Sequence, residues 1–229
     1  MSMDIRLRML STMVIPGLPV ADIGSDHGKL PEYLLQQKLV PYVIATDIKG
    51  KPGQRLQERM AGKYPGQLEI RLGDGLQEIK PEEAATVVLA GLGGTAIINI
   101  VALDLEKSAG FRRFVFQPMT KAAELRSFCA AQALEIKSEK VCYDSGRYYV
   151  MMACERGELP YSLTSAEKEI GPLLLNQTGA TAMNYLYNKR QKFQRILAGL
   201  NSSRSLPGNN VSLYYQEIIT ELEKRCSTK

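Results

Sequence analysis

Asp22, Gly24, Ser25, Asp26, His27 and Gly28 crowd into one short run, and Asp47 follows 19 positions after Gly28. Around them, Val20-Ala21-Asp22-Ile23 and Val43-Ile44-Ala45-Thr46 read as apolar strands separated by a glycine turn and a helical stretch. Strand, glycine turn, helix and a second strand ending in an acid form a nucleotide cradle. The turn lets an anionic group approach backbone N–H groups, and the terminal acid accepts from ribose hydroxyls.

The cradle departs from a dinucleotide site at one position. Such a site reads G-x-G-x-x-G, and its second glycine gives the pyrophosphate access to the backbone. Here that position is Asp26, whose charge repels phosphate. The surviving spacing, D-x-G-x-x-x-G with a later acid, suits S-adenosylmethionine, which has no phosphate but carries an amino-acid head, a sulfonium and a ribose. Asp22 or Asp26 would face the cation. An ordinary strand–turn–helix with incidental acids satisfies the first motif equally well, so the rest of the chain must decide.

Elements able to position these residues fill the first two thirds of the 229-residue chain. Strands are expected at Pro19 to Ile23, Tyr42 to Ile48, Leu68 to Gly73, Thr86 to Ala90 and Phe114 to Gln117. Helices are expected at about Lys29 to Gln37, Gly53 to Lys63, Thr95 to Lys107 and Lys121 to Ala133. This alternation predicts an α/β fold with a parallel sheet and a ligand crevice at the strands' carboxyl ends, where the Gly/Asp clusters fall. Leu134 to Cys142 and Arg147 to Cys154, joined by Tyr143-Asp144-Ser145-Gly146, then read as a hairpin. A terminal antiparallel hairpin on a parallel sheet is the Rossmann-like topology of class I methyltransferases.

After Pro160 the strand signals stop. Thr164-x-x-Glu167 reads as a capping box. Helix follows through about Ser203, broken near Gly171-Pro172 and Gly179, and after a loop at Ser205 to Asn210 a last helix covers Val211 to Arg225. Leu186, Phe193, Leu197 and Leu200 would meet Leu213, Ile218, Ile219 and Leu222 in a coiled-coil-like helical hairpin. Two domains are expected, 1–160 catalytic and 161–229 helical.

Composition agrees with a globular protein: 45% hydrophobic and 23% charged. No apolar stretch reaches the ~20 residues of a membrane helix, and the N-terminus lacks the order of a secretory signal, so the expected location is cytoplasmic. Cys129, Cys142, Cys154 and Cys226 form no C-x-x-C pair, and with His27 the single histidine no zinc site is expected. The net charge of +5 is uneven: residues 161–229 hold 9 Lys/Arg against 5 Asp/Glu, the remainder 20 against 19. The basic excess lies in the helical region.

Several motifs in matching order now add up. Ala21-Asp22-Ile23-Gly24-Ser25-Asp26-His27, Leu30-Pro31, Lys49-Gly50, Arg71-Leu72-Gly73-Asp74-Gly75-Leu76, Ala90-Gly91-Leu92-Gly93-Gly94 and Gln117-Pro118 together resemble the bacterial tRNA (adenine(22)-N(1))-methyltransferase family, as does the helical C-terminal region. The resemblance implies S-adenosylmethionine as cofactor and tRNA as partner, with methyl transfer to N1 of an adenine in the D-arm region; a monomer is expected. Carried over by position, Asp22, Gly24, Ser25 and Asp26 would hold the methionine end and Asp47, with Ile48 beside it, the ribose. Asp74, with Gly75, would accept from the adenine amino group, and Gly91 would line the methyl-transfer mouth. The family usually has Asn where Met119 stands, which removes an amide from the rim.

Methyl transfer from a sulfonium needs in-line alignment, and adenine N1 gains a positive charge without needing a strong base. Asp26 is the expected electrostatic residue, and His27 a hydrogen-bond partner of base or ribose. For RNA, Lys189, Arg190, Lys192 and Arg195 form a basic run without a compensating acid, which Arg6 and Arg8 would extend. Two alternatives stay open: a methyltransferase of another RNA or a small molecule, and a cofactor-binding protein of this fold without turnover.

Overall fold

The computed structural model describes residues 5–202 and 209–226. Most of the loop expected at Ser205 to Asn210, and the thiol of Cys226, lie outside the described residues; Asn209 and Asn210 open the last helix. The chain starts with α1 (Ile5–Ser11) and alternates through β1 (Val20–Ile23), α2 (Lys29–Gln36), β2 (Val43–Asp47), α3 (Lys51–Met60) and β3 (Leu68–Leu72). It continues through β4 (Thr86–Leu92), α4 (Gly94–Ala102), α5 (Leu105–Ala109), β5 (Arg113–Pro118) and α6 (Ala122–Ala131) to the hairpin β6 (Leu134–Asp144) and β7 (Arg147–Arg156). The remainder is helical: α7 (Ser165–Glu169), α8 (Ala180–Ser202) and α9 (Asn209–Cys226).

All seven strands join one sheet in the order β3-β2-β1-β4-β5-β7-β6. The first five are parallel and β7 runs antiparallel to β5, as the hairpin predicted. β1 and β2 are buried along their whole length, because helices cover both faces. On one face Leu10 of α1 and Leu30, Leu34 and Leu35 of α2 pack on Val20, Val43 and Val88. On the other, Ile97 and Val101 of α4 and Leu125 and Cys129 of α6 pack on Ile44, Val87, Leu89 and Phe116.

Three expectations are corrected. The single helix at Thr95 to Lys107 is two helices, because the Asp104 side chain accepts from the Lys107 N–H at 2.9 Å and caps α5. The helix expected from Gly53 starts at Lys51, with Pro52 in its first turn, where the missing N–H costs nothing. In the helical hairpin, Leu186, Phe193, Ile218, Ile219 and Leu222 are buried together, but Leu213 is 54% exposed and takes no part in the seam.

The Thr164–Glu167 capping box forms: Thr164 Oγ1 accepts from the Glu167 N–H at 3.2 Å, and Glu167 Oε2 accepts from the Thr164 N–H at 2.8 Å. The helical core includes Val141 of β6 and Val150 of β7, so the C-terminal helices pack directly onto the end of the sheet. The side chains of Cys129, Cys142 and Cys154 are buried. Among the described residues, no helix is long and apolar enough to cross a membrane, and no group of three or more His, Cys, Asp or Glu is placed to hold a metal.

Candidate active site

The sheet order reverses between β1 and β4, and an open α/β sheet offers its ligand crevice at that switch point. Gly24 leaves β1 there with φ +74°, and a Cβ on it would meet the Leu92 side chain from β4 at 3.6 Å. The cleft so formed has a volume of about 430 Å³, and its walls include Asp22, Gly24, Ser25, Asp26, His27, Asp47, Gly91 and Arg6. This is the range of small-ligand sites.

Asp47 organises the turn. Its Oδ2 accepts from the Asp26 N–H at 2.7 Å and its Oδ1 from the Ile48 N–H at 2.8 Å. A carboxylate has about four acceptor positions, so each oxygen retains one toward the cleft and the pair suits a cis-diol. The Gly24 and Ser25 N–H groups donate to the Thr46 carbonyl at 3.0 and 2.8 Å, which ties the turn to β2. Asp22 is buried at the carboxyl end of β1, where its Oδ2 accepts from Ser25 Oγ at 2.6 Å. Burial pushes its carboxyl up to about 6; the Ser25 hydrogen bond opposes that shift, and the charge of Asp47 adds to it. A cationic group entering the cleft would reverse this penalty.

Asp26 has φ +46°, a left-handed conformation that Asp tolerates better than most residues. It is exposed, and its carboxylate lies 3.3 Å from Arg55 Nη1 of α3 and 3.5 Å from His27 Nε2. Arg55 is a partner that the sequence did not reveal, since only the fold brings α3 to this turn. It neutralises part of the charge expected of Asp26. The His27 carbonyl accepts from Arg59 of α3, which also pairs with Glu32 of α2. Two α3 arginines therefore brace the turn from outside.

The far wall is the end of β4. Pairing with β5 shifts between Ala90 and Leu92, so Gly91 bulges out with φ +77° and no Cβ obstructs the mouth. Next to it the wholly buried Gln117 accepts from Arg6 Nη1 at 3.3 Å through Oε1 and donates to Met119 Sδ at 3.4 Å through Nε2. Arg6 also stacks over the Tyr149 ring, 5.5 Å from its centroid. Sequence reasoning assigned Arg6 to an outer basic surface; the structure places it in the cleft wall, because α1 packs beside β6.

Other expected residues lie apart from this cavity. Asp74 is exposed beyond β3, linked to the site by the Gly73 N–H, which donates to the Asp47 carbonyl at 3.0 Å. Gly75 is buried against Ile100, and Ile48 is 52% exposed just outside Asp47. None of the three lines the cleft, and only Asp74 and Ile48 are exposed. Arg8 is exposed on α1. The basic run divides by helical phase: Lys192 and Arg195 are exposed, whereas Lys189 and Arg190 are half-buried. Lys189 donates to the Glu169 carbonyl at 3.4 Å and sits over the Tyr185 and Phe193 rings. Desolvation lowers its ammonium to about 8. Arg190 lies over the Tyr187 ring at 5.1 Å.

Two carboxylates near β1 and β2, with side-chain-free backbone at Gly24 and Gly91, favour a ligand bearing a cation and a diol over one bearing phosphates. The comparisons agree. Residues 3–152 match a family model described as a methyltransferase domain. The chain is 27% identical over 214 residues to a Bacillus subtilis tRNA (adenine(22)-N(1))-methyltransferase, covering 91% of this chain and 90% of that protein. The solved B. subtilis M1A22 tRNA methyltransferase TrmK superposes with TM-score 0.84 at 23% identity over 99% of both chains. The Mycoplasma capricolum TrmK, in complex with its natural cofactor product S-adenosyl-homocysteine, superposes with TM-score 0.78 at 24% identity, covering 99% of this chain and 98% of that one.

Proposed function

The chain belongs to the methyltransferase-domain family and groups there with the tRNA (adenine(22)-N(1))-methyltransferases, and we propose that it transfers a methyl group from S-adenosylmethionine to N1 of an adenine in the D-arm region of tRNA. The observation that supports the cofactor is the cleft at the β1/β4 switch point, whose walls include the Asp47 carboxylate, which suits a diol, and the buried Asp22, which suits a cation. S-adenosylmethionine, when bound, supplies an electrophilic methyl on a cationic sulfur.

The chain's own residues would do the rest. Asp47 holds the ribose hydroxyls, Asp22 and Ser25 the methionine end, and Ile48 and Asp74 the adenine of the cofactor. Gly91 leaves a gap through which a nucleophile reaches the methyl in line. N1 of adenine needs no base to remove a proton before it attacks, so the protein's task is alignment and stabilisation of the cation that develops. Asp26 lies at the cleft wall, shared with Arg55 and His27, and supplies the negative potential; His27 donates or accepts at the base or ribose.

RNA is favoured over a small-molecule substrate by Lys192 and Arg195, which lie exposed on α8, a helix that packs against β6 and β7. Residues 161–229 act as the RNA-binding part, and an enzyme acting on tRNA works in the cytoplasm. The test is incubation with labelled S-adenosylmethionine and unmodified tRNA, followed by mapping of the methylated base by mass spectrometry. N1-methyladenosine in the D-arm is expected. Methylation of another base would overturn the site assignment, and cofactor binding without transfer would overturn the enzymatic reading.

A further inference from the structure

A second cavity, about 680 Å³, opens between the loop after β5 and α8, and its lining includes Met119, Lys121, Tyr148, Lys189, Lys192 and Arg195. Among the described residues no carboxylate lines it, although Lys121 pairs with Glu124 at 3.2 Å. Asn188, Lys192 and Arg195 recur at i, i+4 and i+7, so they share one helix face. Neither Lys192 nor Arg195 makes an ion pair among the described residues. The aromatic side of the groove is Tyr148, held by Asn188 Nδ2, which donates to its hydroxyl at 3.3 Å. Its ring centroid lies 4.8 Å from that of Tyr143 and 5.5 Å from that of Tyr185. Tyr143, 54% exposed near the hairpin tip, extends the aromatic surface outward.

This groove shares a wall with the active-site cleft. The Met119 N–H donates to the Leu92 carbonyl at 2.7 Å; Leu92 lines the cleft and Met119 lines the groove. A polyanion whose one residue is extruded into the cleft must place its neighbour within reach of this wall. Two cations with no ion pair among the described residues, Lys192 and Arg195, beside an aromatic ring are the chemistry that single-stranded nucleotides select: phosphate on the cations, base on the ring.

We propose that this groove is a second nucleotide subsite, in which an RNA nucleotide flanking the target adenine stacks on Tyr148 while its phosphate lies between Lys192 and Arg195. It rests on the tRNA reading above and extends it from the target base to its neighbour. A free mononucleotide has the same chemistry but no covalent link to a base in the cleft, so the two sources differ in whether occupancy affects methyl transfer.

The experiment compares wild type, Tyr148→Leu, Tyr148→Phe and Lys192→Gln/Arg195→Gln on unmodified tRNA. It repeats the series on tRNAs made abasic at the 5′ or the 3′ neighbour of the target. With intact tRNA, Tyr148→Leu should raise KM by about tenfold with unchanged S-adenosylmethionine affinity, and Tyr148→Phe should retain near-wild-type KM. On one of the two abasic tRNAs wild type and Tyr148→Leu should converge, since the partner of the ring is already gone. The Lys192/Arg195 variant should lose affinity equally on all three. A Tyr148→Leu penalty that persists on both abasic tRNAs, or that is absent on intact tRNA, overturns the subsite. AMP at millimolar concentration that occupies the groove without competing with tRNA also overturns it. If wild type methylates no tRNA, the reading beneath falls and the subsite with it, an outcome distinct from the preceding ones.

Discussion

Glu139 Oε1 of β6 accepts from Arg126 Nε of α6 at 2.8 Å, and neither side chain has any solvent exposure. Further hydrogen bonds of the pair reach the C-terminal segment. Arg126 donates to the Lys168 and Ile170 carbonyls, each at 2.9 Å, and Glu139 Oε2 accepts from the Leu173 and Leu174 N–H groups at 2.9 and 3.3 Å. The ion pair thus fastens the helical part of the chain to the catalytic sheet, and Gly171 at φ +121° has room for no Cβ, which would lie 2.4 Å from both carboxylate oxygens.

Removing one member leaves a buried charge and orphaned backbone groups, so Arg126→Met should destabilise the protein by about 3–5 kcal/mol. The double variant Arg126→Met/Glu139→Leu should recover part of that loss but not all, because the Leu173 and Leu174 N–H groups stay unpaired. Urea unfolding of the single and double variants measures both; equal stability of the two would refute the argument.

Asp22 makes stability depend on pH in a definite direction. Its carboxyl rises from 3.8 in the unfolded chain to about 6 in the fold, so between those values the native state binds more protons and stability falls as pH rises. The cost is complete above pH 6. Asp22→Asn should stabilise the ligand-free protein at pH 7.5 by roughly 2–3 kcal/mol and flatten the fall between pH 4 and 6. The same variant should bind S-adenosylmethionine more weakly. Urea midpoints across that pH range, with calorimetry for the ligand, would reveal a variant that gains neither effect.

Asp47 is proposed to hold the ligand through its geometry. Its oxygens accept from the Asp26 and Ile48 N–H groups, so Asp47→Ala would remove the proposed diol acceptor and release the turn together. Charge-assisted hydrogen bonds contribute about 1.5–3 kcal/mol each, which places the expected loss of cofactor affinity at tenfold or more. Calorimetric titration that finds the affinity unchanged would remove Asp47 from the site.

The strands and the antiparallel hairpin were legible because short β-branched runs end in Gly or an acid, and that pattern places Asp22 to His27 and Asp47 at the carboxyl ends of β1 and β2. What was hidden depends on distant segments. Arg6 reads as one more surface arginine until α1 packs beside β6 and brings it to Gln117. Arg55 reads as a solvated helix residue until α3 meets the glycine turn. Lys189 and Lys192 look alike in sequence, yet a rotation of three positions around α8 half-buries the first over aromatic rings and leaves the second in water. The Arg126–Glu139 pair has no local signal, since buried and exposed ion pairs use the same residues.

Two glycines of the cradle share a left-handed backbone and should answer substitution differently. Gly91 has φ +77°, and a Cβ there would find only Arg6 Nη1, at 3.9 Å. Gly91→Ala should therefore cost only the conformational strain, about 1–2 kcal/mol. Gly28 has φ +60°, and its Cβ would lie 2.7 Å from Met60 Cγ and 3.1 Å from Leu56 Cδ1, in the tight contact between α2 and α3. Gly28→Ala adds overpacking to the same strain and should cost roughly 2–4 kcal/mol. Function should rank them in the opposite order: on the proposed reading the methyl added at position 91 would stand in the gap through which the nucleophile approaches, so kcat should fall while cofactor affinity is retained. Gly28→Ala, assayed below its melting temperature, should keep more of its kcat than Gly91→Ala. Thermal melts paired with single-turnover methylation separate the two quantities, and a Gly91→Ala enzyme with undiminished kcat would show that the bulge does not face the transferred methyl.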